Sequence, residues 1–304
     1  MNIIETENLT RRFGRNDAVI GLNLAVPEGS TVALLGANGA GKTTTLKLLM
    51  NLLQPTAGAA LVLGTDTRRL GEKDFAQIGY VSENQELPLW MTVRQLLDYC
   101  RNFYPTWDRD LEATLLKQFA LPTDRPLKHL SRGMTMKAAL LSSLAYRPKL
   151  LVLDEPFSGL DPLMRDEFIS GVLEVSAAGQ WTVVVSSHDI GEVERLADRV
   201  AMLDAGRLRL DETTEALQGR FRRIEVTLGD APAAPLAGLP AAWREAEQAG
   251  RVIRFVDTAY AREATERACR ERFPDAAVTA QPMALREIFI VLARQARGAA
   301  EGAA

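Results

Sequence analysis

Two cysteines and two histidines are all the thiol and imidazole side chains that 304 residues hold. Cys100 and Cys269 lie far apart with no Cys-x-x-Cys spacing. They offer neither a disulfide framework nor a zinc site, and a reducing compartment is expected. Excess positive charge is lacking too. The formal net charge is −3, whereas nucleic-acid binding usually shows as a strongly basic domain, so no nucleic-acid partner is expected. Long hydrophobic runs are also missing. No stretch reaches the roughly 18 apolar residues of a membrane-spanning helix, and Met1 to Arg12 has no signal-type apolar core. A membrane role is therefore expected to come through a partner.

What is present is ordinary globular composition, 47% apolar and 25% charged. The length suits one large domain and a smaller one. The longest apolar runs, Lys149–Asp154 and Trp181–Ser186, are short and bounded by polar residues, the pattern of strands covered on both faces. Residues 1–220 alternate strand-like and helix-like segments, predicting a mostly parallel α/β sheet. Ile3–Thr10 and Ala18–Val26 read as an antiparallel flap. Thr31–Gly36 reads as a strand, Lys42–Leu53 as a helix and Ala59–Leu63 as a strand after a turn at 55–58. Residues 74–147 read as mostly helical, with Thr92 and Gln95 as a capping box and further helices at Asp108–Phe119 and Ser131–Tyr146. Then come strand Leu150–Leu153, helix Pro162–Ala178, strand Thr182–Ser186, helix Asp189–Ala197 and strand Val200–Leu203. Residues 221–304 read as a small α+β domain: strands Arg223–Leu228, Val252–Val256 and Ala277–Ala280, and helices Ala261–Arg272 and Leu285–Gln295. Ala231–Pro240 reads as a linker, and 298–304 as a frayed tail.

Three clusters carry chemistry. Gly36-Ala37-Asn38-Gly39-Ala40-Gly41-Lys42-Thr43 fits the phosphate-loop pattern GxxxxGK[ST] between a strand and a helix. Its glycines let backbone N–H groups close on phosphate oxygens, and the helix N-terminus adds positive potential. Lys42 is expected on the β- and γ-phosphates and Thr43 on Mg²⁺; Thr44 extends the same nucleotide-binding segment. The second cluster ends the apolar strand Leu150–Leu153 with Asp154 and Glu155. Asp154 is expected to orient Mg²⁺, and Glu155 to orient or deprotonate the attacking water. The blander alternative is that both acids cap the following helix. The third is Leu130-Ser131-Arg132-Gly133-Met134, placed 23 positions before Asp154.

That third cluster resembles the LSGGQ signature of ABC ATPases. Asp154 to Pro162 looks like the joined Walker B and D-loop, and His188 in Ser187-His188-Asp189 looks like the switch histidine. The resemblance covers residues 1–220, with the motifs in family order. It implies a P-loop NTPase core with an antiparallel β flap and a helical signature subdomain, binding ATP and Mg²⁺ and hydrolysing ATP. It implies a homodimer, or a heterodimer with a second ABC ATPase, in which Ser131 and Gly133 reach the γ-phosphate held by the other subunit and Asp161 lies at the shared boundary. It implies a peripheral protein at the cytoplasmic face of the membrane, driving a separate polytopic permease. Phe13 stands where the family places an aromatic that stacks on adenine, His188 where it senses the γ-phosphate. The C-terminal domain resembles those appended to some efflux-type subunits, which suggests an exporter.

Three residues depart from the family pattern. Glu83 replaces the Q-loop glutamine, Arg132 the first signature glycine and Met134 its glutamine. Arg132 either adds positive charge near the shared phosphates or points to solvent. Glu83 either reaches the metal, or is held away by repulsion from Asp154 and Glu155 until the permease engages. Leu87–Met91 is an apolar, aromatic segment expected to meet the permease. Two other classes compete. A soluble ABC ATPase acting on DNA or ribosomes lacks room here for a coiled-coil insertion, since Lys42 and Asp154 are only 112 positions apart. A phosphate-loop kinase would leave the signature and His188 unexplained.

Overall fold

The computed structural model of the chain describes residues 1–178, 181–229, 236 and 238–301. They form two compact units, Met1–Asp211 and Glu212–Ala304.

The first unit opens with β1 (Asn2–Phe13), β2 (Asn16–Leu22) and β3 (Ala25–Pro27), followed by β4 (Thr31–Leu35) and α1 (Lys42–Leu49). The stretch expected as one strand over 18–26 breaks at Asn23 and Leu24, where β1 is shared by β2 and β3. Helix α1 stops four residues before the expected end. Asn51 turns left-handed (φ 54°), and the N–H of Leu52 bonds to Lys47 O at 2.9 Å, the reverse turn that closes many helices. Next come β5 (Ala57–Val62), β6 (Thr65–Asp66), the single turn α2 (Glu72–Phe75) and β7 (Ile78–Ser82). The helical segment contains α3 (Val93–Arg101), α4 (Arg109–Gln118) and α5 (Arg132–Leu144). Their N-caps are Thr92, Asp108 and Ser131, each accepting from a backbone N–H of the first turn. The capping box of Thr92 with Gln95 is present.

The chain then alternates through β8 (Leu150–Asp154), α6 (Pro162–Ala178), β9 (Thr182–Ser187), α7 (Ile190–Val193), β10 (Arg199–Asp204) and β11 (Arg207–Thr213). Helix α7 is far shorter than the expected 189–197. After Val193 the chain tightens, its carbonyl taking both the Leu196 and Ala197 amides. Among the described residues, the flap strands order as β2-β1-β5-β6 with β3 also on β1, and the central sheet as β11-β10-β4-β9-β8-β7. Strands β10, β4, β9, β8 and β7 run parallel. Every residue of β4, β8 and β9 is buried, as their unbroken apolar runs required. Register places Leu35 beside Ser187, Asp154 beside Ser186 and Ser82 beside Asp154. Four loops thus leave the carboxyl edge of one sheet side by side, where open α/β sheets bind ligands.

The second unit holds α8 (Thr214–Arg220), β12 (Arg222–Thr227), β13 (Trp243–Ala249), β14 (Val252–Asp257), α9 (Arg262–Arg272), β15 (Ala277–Pro282) and α10 (Leu285–Glu301). Its antiparallel sheet runs β13-β14-β12-β15. Ile224, Val226, Ile253 and Phe255 alternate with polar residues and pack with Trp243, Cys269 and Phe273. Strands β11 and β13 and helix α8 were not expected from the sequence. Helix α10 runs through Glu301, beyond the expected end at Gln295 and into the tail expected to fray. Most of the expected linker, residues 230–235 and 237, and the end of the tail, 302–304, fall outside the described residues.

Candidate functional site

The loop between β4 and α1 is shaped by close backbone approach. A Cβ on Gly36 would lie 2.4 Å from Leu203 O, and one on Gly41 (φ +103°) 2.4 Å from Ala18 O. Neither distance is tolerable, so both positions require glycine. The loop turns back so that Lys42 Nζ, 5% exposed, donates to Gly36 O (2.7 Å) and Ala37 O (3.2 Å). It also pairs with Glu155 Oε1 at 3.0 Å. A buried ammonium with this many oxygen partners is a fixed cation at the loop mouth.

Thr43 Oγ1 donates to Asp154 Oδ1 at 2.9 Å, and Asp154 is 3% exposed. Ser186 ties the acids together, donating its hydroxyl to Asp154 Oδ1 (2.8 Å) and accepting from the Glu155 N–H (2.9 Å). That second bond helps hold Glu155 at φ 49°, a left-handed conformation that costs energy for a residue with a side chain. His188 Nδ1 stands 2.9 Å from Glu155 Oε2. Glu155 is therefore gripped at both oxygens, by Lys42 and His188. The resemblance did not point to Ser186. Its signal was the polar pair Ser186-Ser187 ending an otherwise apolar strand next to His188.

A cavity of about 630 Å³ opens over these groups, lined by Phe13, Asn16, Asp17, Ala18, Asn38, Gly39, Gly41, Lys42, Thr43, Thr44, Glu83, Glu155 and Ala205. Phe13 thus lies with the phosphate loop although it stands 23 positions before Gly36. Its ring is half-exposed, with the Arg11 guanidinium 4.4 Å from its centroid. Asn16 and Asp17, at the β1–β2 turn, were not singled out by the sequence. Ala40 is buried, and its carbonyl accepts from the Gly206 N–H at 3.1 Å, bracing the loop rather than lining the cavity.

Ser131, Gly133 and Asp161 do not line this cavity. Ser131 caps α5 and is exposed. Gly133 is buried against Met164. Asp161 caps α6, accepting from the Met164 N–H at 2.9 Å. Within one chain, then, of the signature only Arg132 reaches a residue of the cavity wall, Glu83.

The departures resolve differently from both options open for Arg132. Its guanidinium pairs with Glu83 Oε1 at 2.5 Å while the side chain stays half exposed, a partner that neither option named. The Ser158 hydroxyl donates to the same oxygen at 2.8 Å. Burial works to raise the Glu83 carboxyl, but the hydrogen bonds from Ser158 and Arg132 and the nearby positive charge outweigh it, leaving it below its ordinary value. The opposite charges of the two departures were the signal that they meet.

For Mg²⁺ the donor set fits. The Thr43 hydroxyl and Asp154 carboxylate already touch, giving two hard oxygens beside a loop built for phosphate. Mg²⁺ is usually held by one or two carboxylates together with substrate phosphates and water. Among the described residues no cluster of three or more His, Cys, Asp or Glu could hold a metal alone, which agrees with a metal that arrives with its phosphates.

The family pattern of the ABC transporter matches residues 19–158. The chain is 35% identical over 218 residues to an ABC transporter ATP-binding protein of Nostoc sp., covering 68% of this chain and 64% of that protein. It is 35% identical to the daunorubicin resistance ATP-binding protein DrrA2 of Streptomyces coeruleorubidus, covering 75% and 72%. It is 36% identical to the probable multidrug ABC transporter ATP-binding protein YbhF of Escherichia coli, covering 73% of this chain but 39% of that protein. Among solved structures it resembles an ATP-binding subunit of an ABC transporter, at 28% identity and TM-score 0.65 over 71% of this chain and 92% of that one. It also resembles a bacterial Atm1-family ABC exporter with ATP bound, at 25% identity and TM-score 0.62, covering 71% and 39%.

Proposed function

The chain belongs to the ATP-binding subunits of ABC transporters, an ATP-hydrolysing family, and from that premise we propose that it drives a separate polytopic permease of an exporter as one half of an ATP-bridged dimer at the cytoplasmic face of the membrane. The observation that carries this is the division of the site: a complete phosphate loop with gripped Glu155 on one side, and an exposed, capped Ser131 outside that cavity on the other. Two chains packed head to tail would bring the second to the first. The export direction is supported by the drug-resistance and multidrug names of relatives. Among the described residues no helix is long and apolar enough to cross a membrane; in this reading the translocation path is supplied by a partner.

In this reading Phe13 stacks on the base, an interaction of about 1–3 kcal/mol. The backbone from Gly36 to Thr44 cradles the phosphates, with Asn38 and Ala40 shaping the loop. Lys42 neutralises the developing charge. Mg²⁺, held by Thr43 and Asp154, supplies charge neutralisation at the phosphate oxygens. Glu155 orients the attacking water, and His188 keeps the carboxylate aimed. Ser131, Gly133 and Asp161 act on the nucleotide of the partner subunit. Permease docking is supported by a groove of about 410 Å³ lined by Leu52, Phe75, Leu87, Leu96, Cys100 and Tyr104 among others, with Leu89 and Trp90 (71% exposed) on the loop before α3. Glu155→Gln keeps the shape and removes the charge. Turnover should fall below about one hundredth while ATP still binds, and the variant should elute as a dimer with MgATP. Hydrolysis at the wild-type rate would overturn the role of Glu155, and a monomer with MgATP would overturn the dimer.

A further inference from the structure

The nucleotide cavity is lined by three acids, Asp17, Glu83 and Glu155, and each has its own cation. Asp17 pairs with Arg12 at 2.5 Å, Glu155 with Lys42 at 3.0 Å and Glu83 with Arg132 at 2.5 Å. The last pair is distinctive because its members belong to different motifs, 49 residues apart. It also has a third member, Ser158, on the same carboxylate oxygen. The guanidinium lies against the backbone of Gly159, where an added Cβ would stand 3.0 Å from the Arg132 terminal nitrogen. The loop after β7, the first turn of α5 and the loop after β8 are thus pinned at one point.

We infer that Arg132 is a positioning and charge-balancing residue for Glu83, so that the two departures from the family pattern form one device for nucleotide binding. A neutral amide at position 83 needs no cation, and a glycine at 132 supplies none. A carboxylate at 83 without Arg132 would add an uncompensated negative charge to a cavity that must accept a polyanion. With Arg132 that charge is balanced, and the carboxylate is held against Ser158. The inference rests on the ATPase reading but goes beyond it: removing Arg132 should weaken nucleotide binding only while residue 83 is a carboxylate.

The test is a double-mutant cycle on the full chain, reading the Kd for ADP by titration calorimetry without divalent ions. ADP lacks the γ-phosphate that a partner's signature would meet, so a direct contact from Arg132 across the dimer would not contribute. Arg132→Gln should weaken ADP binding about fivefold, the scale of coupling expected for a partly exposed charged pair. Glu83→Gln alone should not weaken it, and Glu83→Gln with Arg132→Gln should match Glu83→Gln. Arg132→Lys should recover most of the loss by restoring charge. In steady-state hydrolysis Arg132→Gln should raise KM more than it lowers kcat. An equal penalty for Arg132→Gln in both backgrounds, or no rescue by lysine, would overturn the pairing while leaving the ATPase reading intact. Failure of the wild-type chain to bind ADP at all would overturn both.

Discussion

The two units differ in the charges they bury. In the first, Lys42, Asp154 and Glu155 sit inside the fold, 5%, 3% and 13% exposed at the side chain or residue, each held by several partners. In the second, the ion pairs lie outside: Arg223 with Glu287, Arg254 with Glu225 and Arg294 with Glu245 all have side chains more than a third exposed on at least one partner. Its interior is mostly apolar, with Trp243 stacked on Phe255 at 4.2 Å, and the acid buried there, Asp257, accepts from the Thr265 hydroxyl at 2.6 Å. A charge buried at a strand end is costly unless it is paired and hydrogen-bonded, and clusters of such charges gather at functional sites, whereas exposed pairs contribute little. The difference separates a unit organised around a ligand from one organised around its own core.

The sharpest way to break this comparison is Lys42→Ala. It leaves Glu155 buried beside His188 without its cation and removes the charge at the loop mouth. Turnover should fall by roughly 10²-fold or more, as when a positioned charge-stabilising donor is lost, and the first unit should become less stable, by about 3 kcal/mol if the pair behaves as a buried one. Hydrolysis within tenfold of wild type would mean that this buried charge is structural rather than catalytic.

Phe255→Ala probes the other side. Phe255 is 2% exposed and stacked on Trp243, so truncation should cost about 3–5 kcal/mol. If the units are separately stabilised, calorimetry should show one transition moved down while ADP affinity stays within twofold. A single shifted transition with weakened ADP binding would show that they unfold together.

The contrast also explains what was legible from sequence. The phosphate loop, the acidic strand end and the signature were readable because each needs fixed residue types at fixed spacing: glycines where Cβ would strike Leu203 or Ala18, a lysine, a hydroxyl, two acids. Helices α3, α4 and α5 began where expected because Thr92, Asp108 and Ser131 are caps that act locally. Strand β13 was missed because Arg244, Glu245, Glu247 and Gln248 make it polar on most positions. Its place comes from pairing with β14, a tertiary effect that local pattern does not encode. Helix α7 was overextended because the tightening after Val193 leaves no breaker residue in the sequence. The Glu83–Arg132 pair was missed because residues were compared with the family pattern singly, and only the fold brings position 83 to position 132.

The smallest effect is expected where a charge of the first unit lies near its surface, which tests whether burial or membership in the unit decides. Asp66, before the turn at 67–69, accepts from Arg68 through its backbone N–H (2.9 Å), Nε (2.9 Å) and a terminal nitrogen (2.5 Å). These bonds, the side-chain ones foremost and the backbone one next, push the Asp66 carboxyl from 3.8 down to about 2. A carboxyl with a depressed folded pKa stabilises fully above its unfolded value and stops doing so as pH falls through the folded one. The contribution should therefore be constant above about pH 4, decline between pH 4 and pH 2, and vanish below. The Arg68 side chain is 49% exposed, so solvent screening should reduce the effect to about 1 kcal/mol. Asp66→Asn should accordingly lower stability at pH 7 by about that amount, with the two urea-unfolding curves converging as pH approaches 2. Added salt should shrink the gap at pH 7, as it does for exposed pairs. A gap that persists unchanged at pH 2 would assign the loss to the turn's hydrogen-bond shape rather than to charge, and the division between buried and exposed charge would not extend to this corner of the fold.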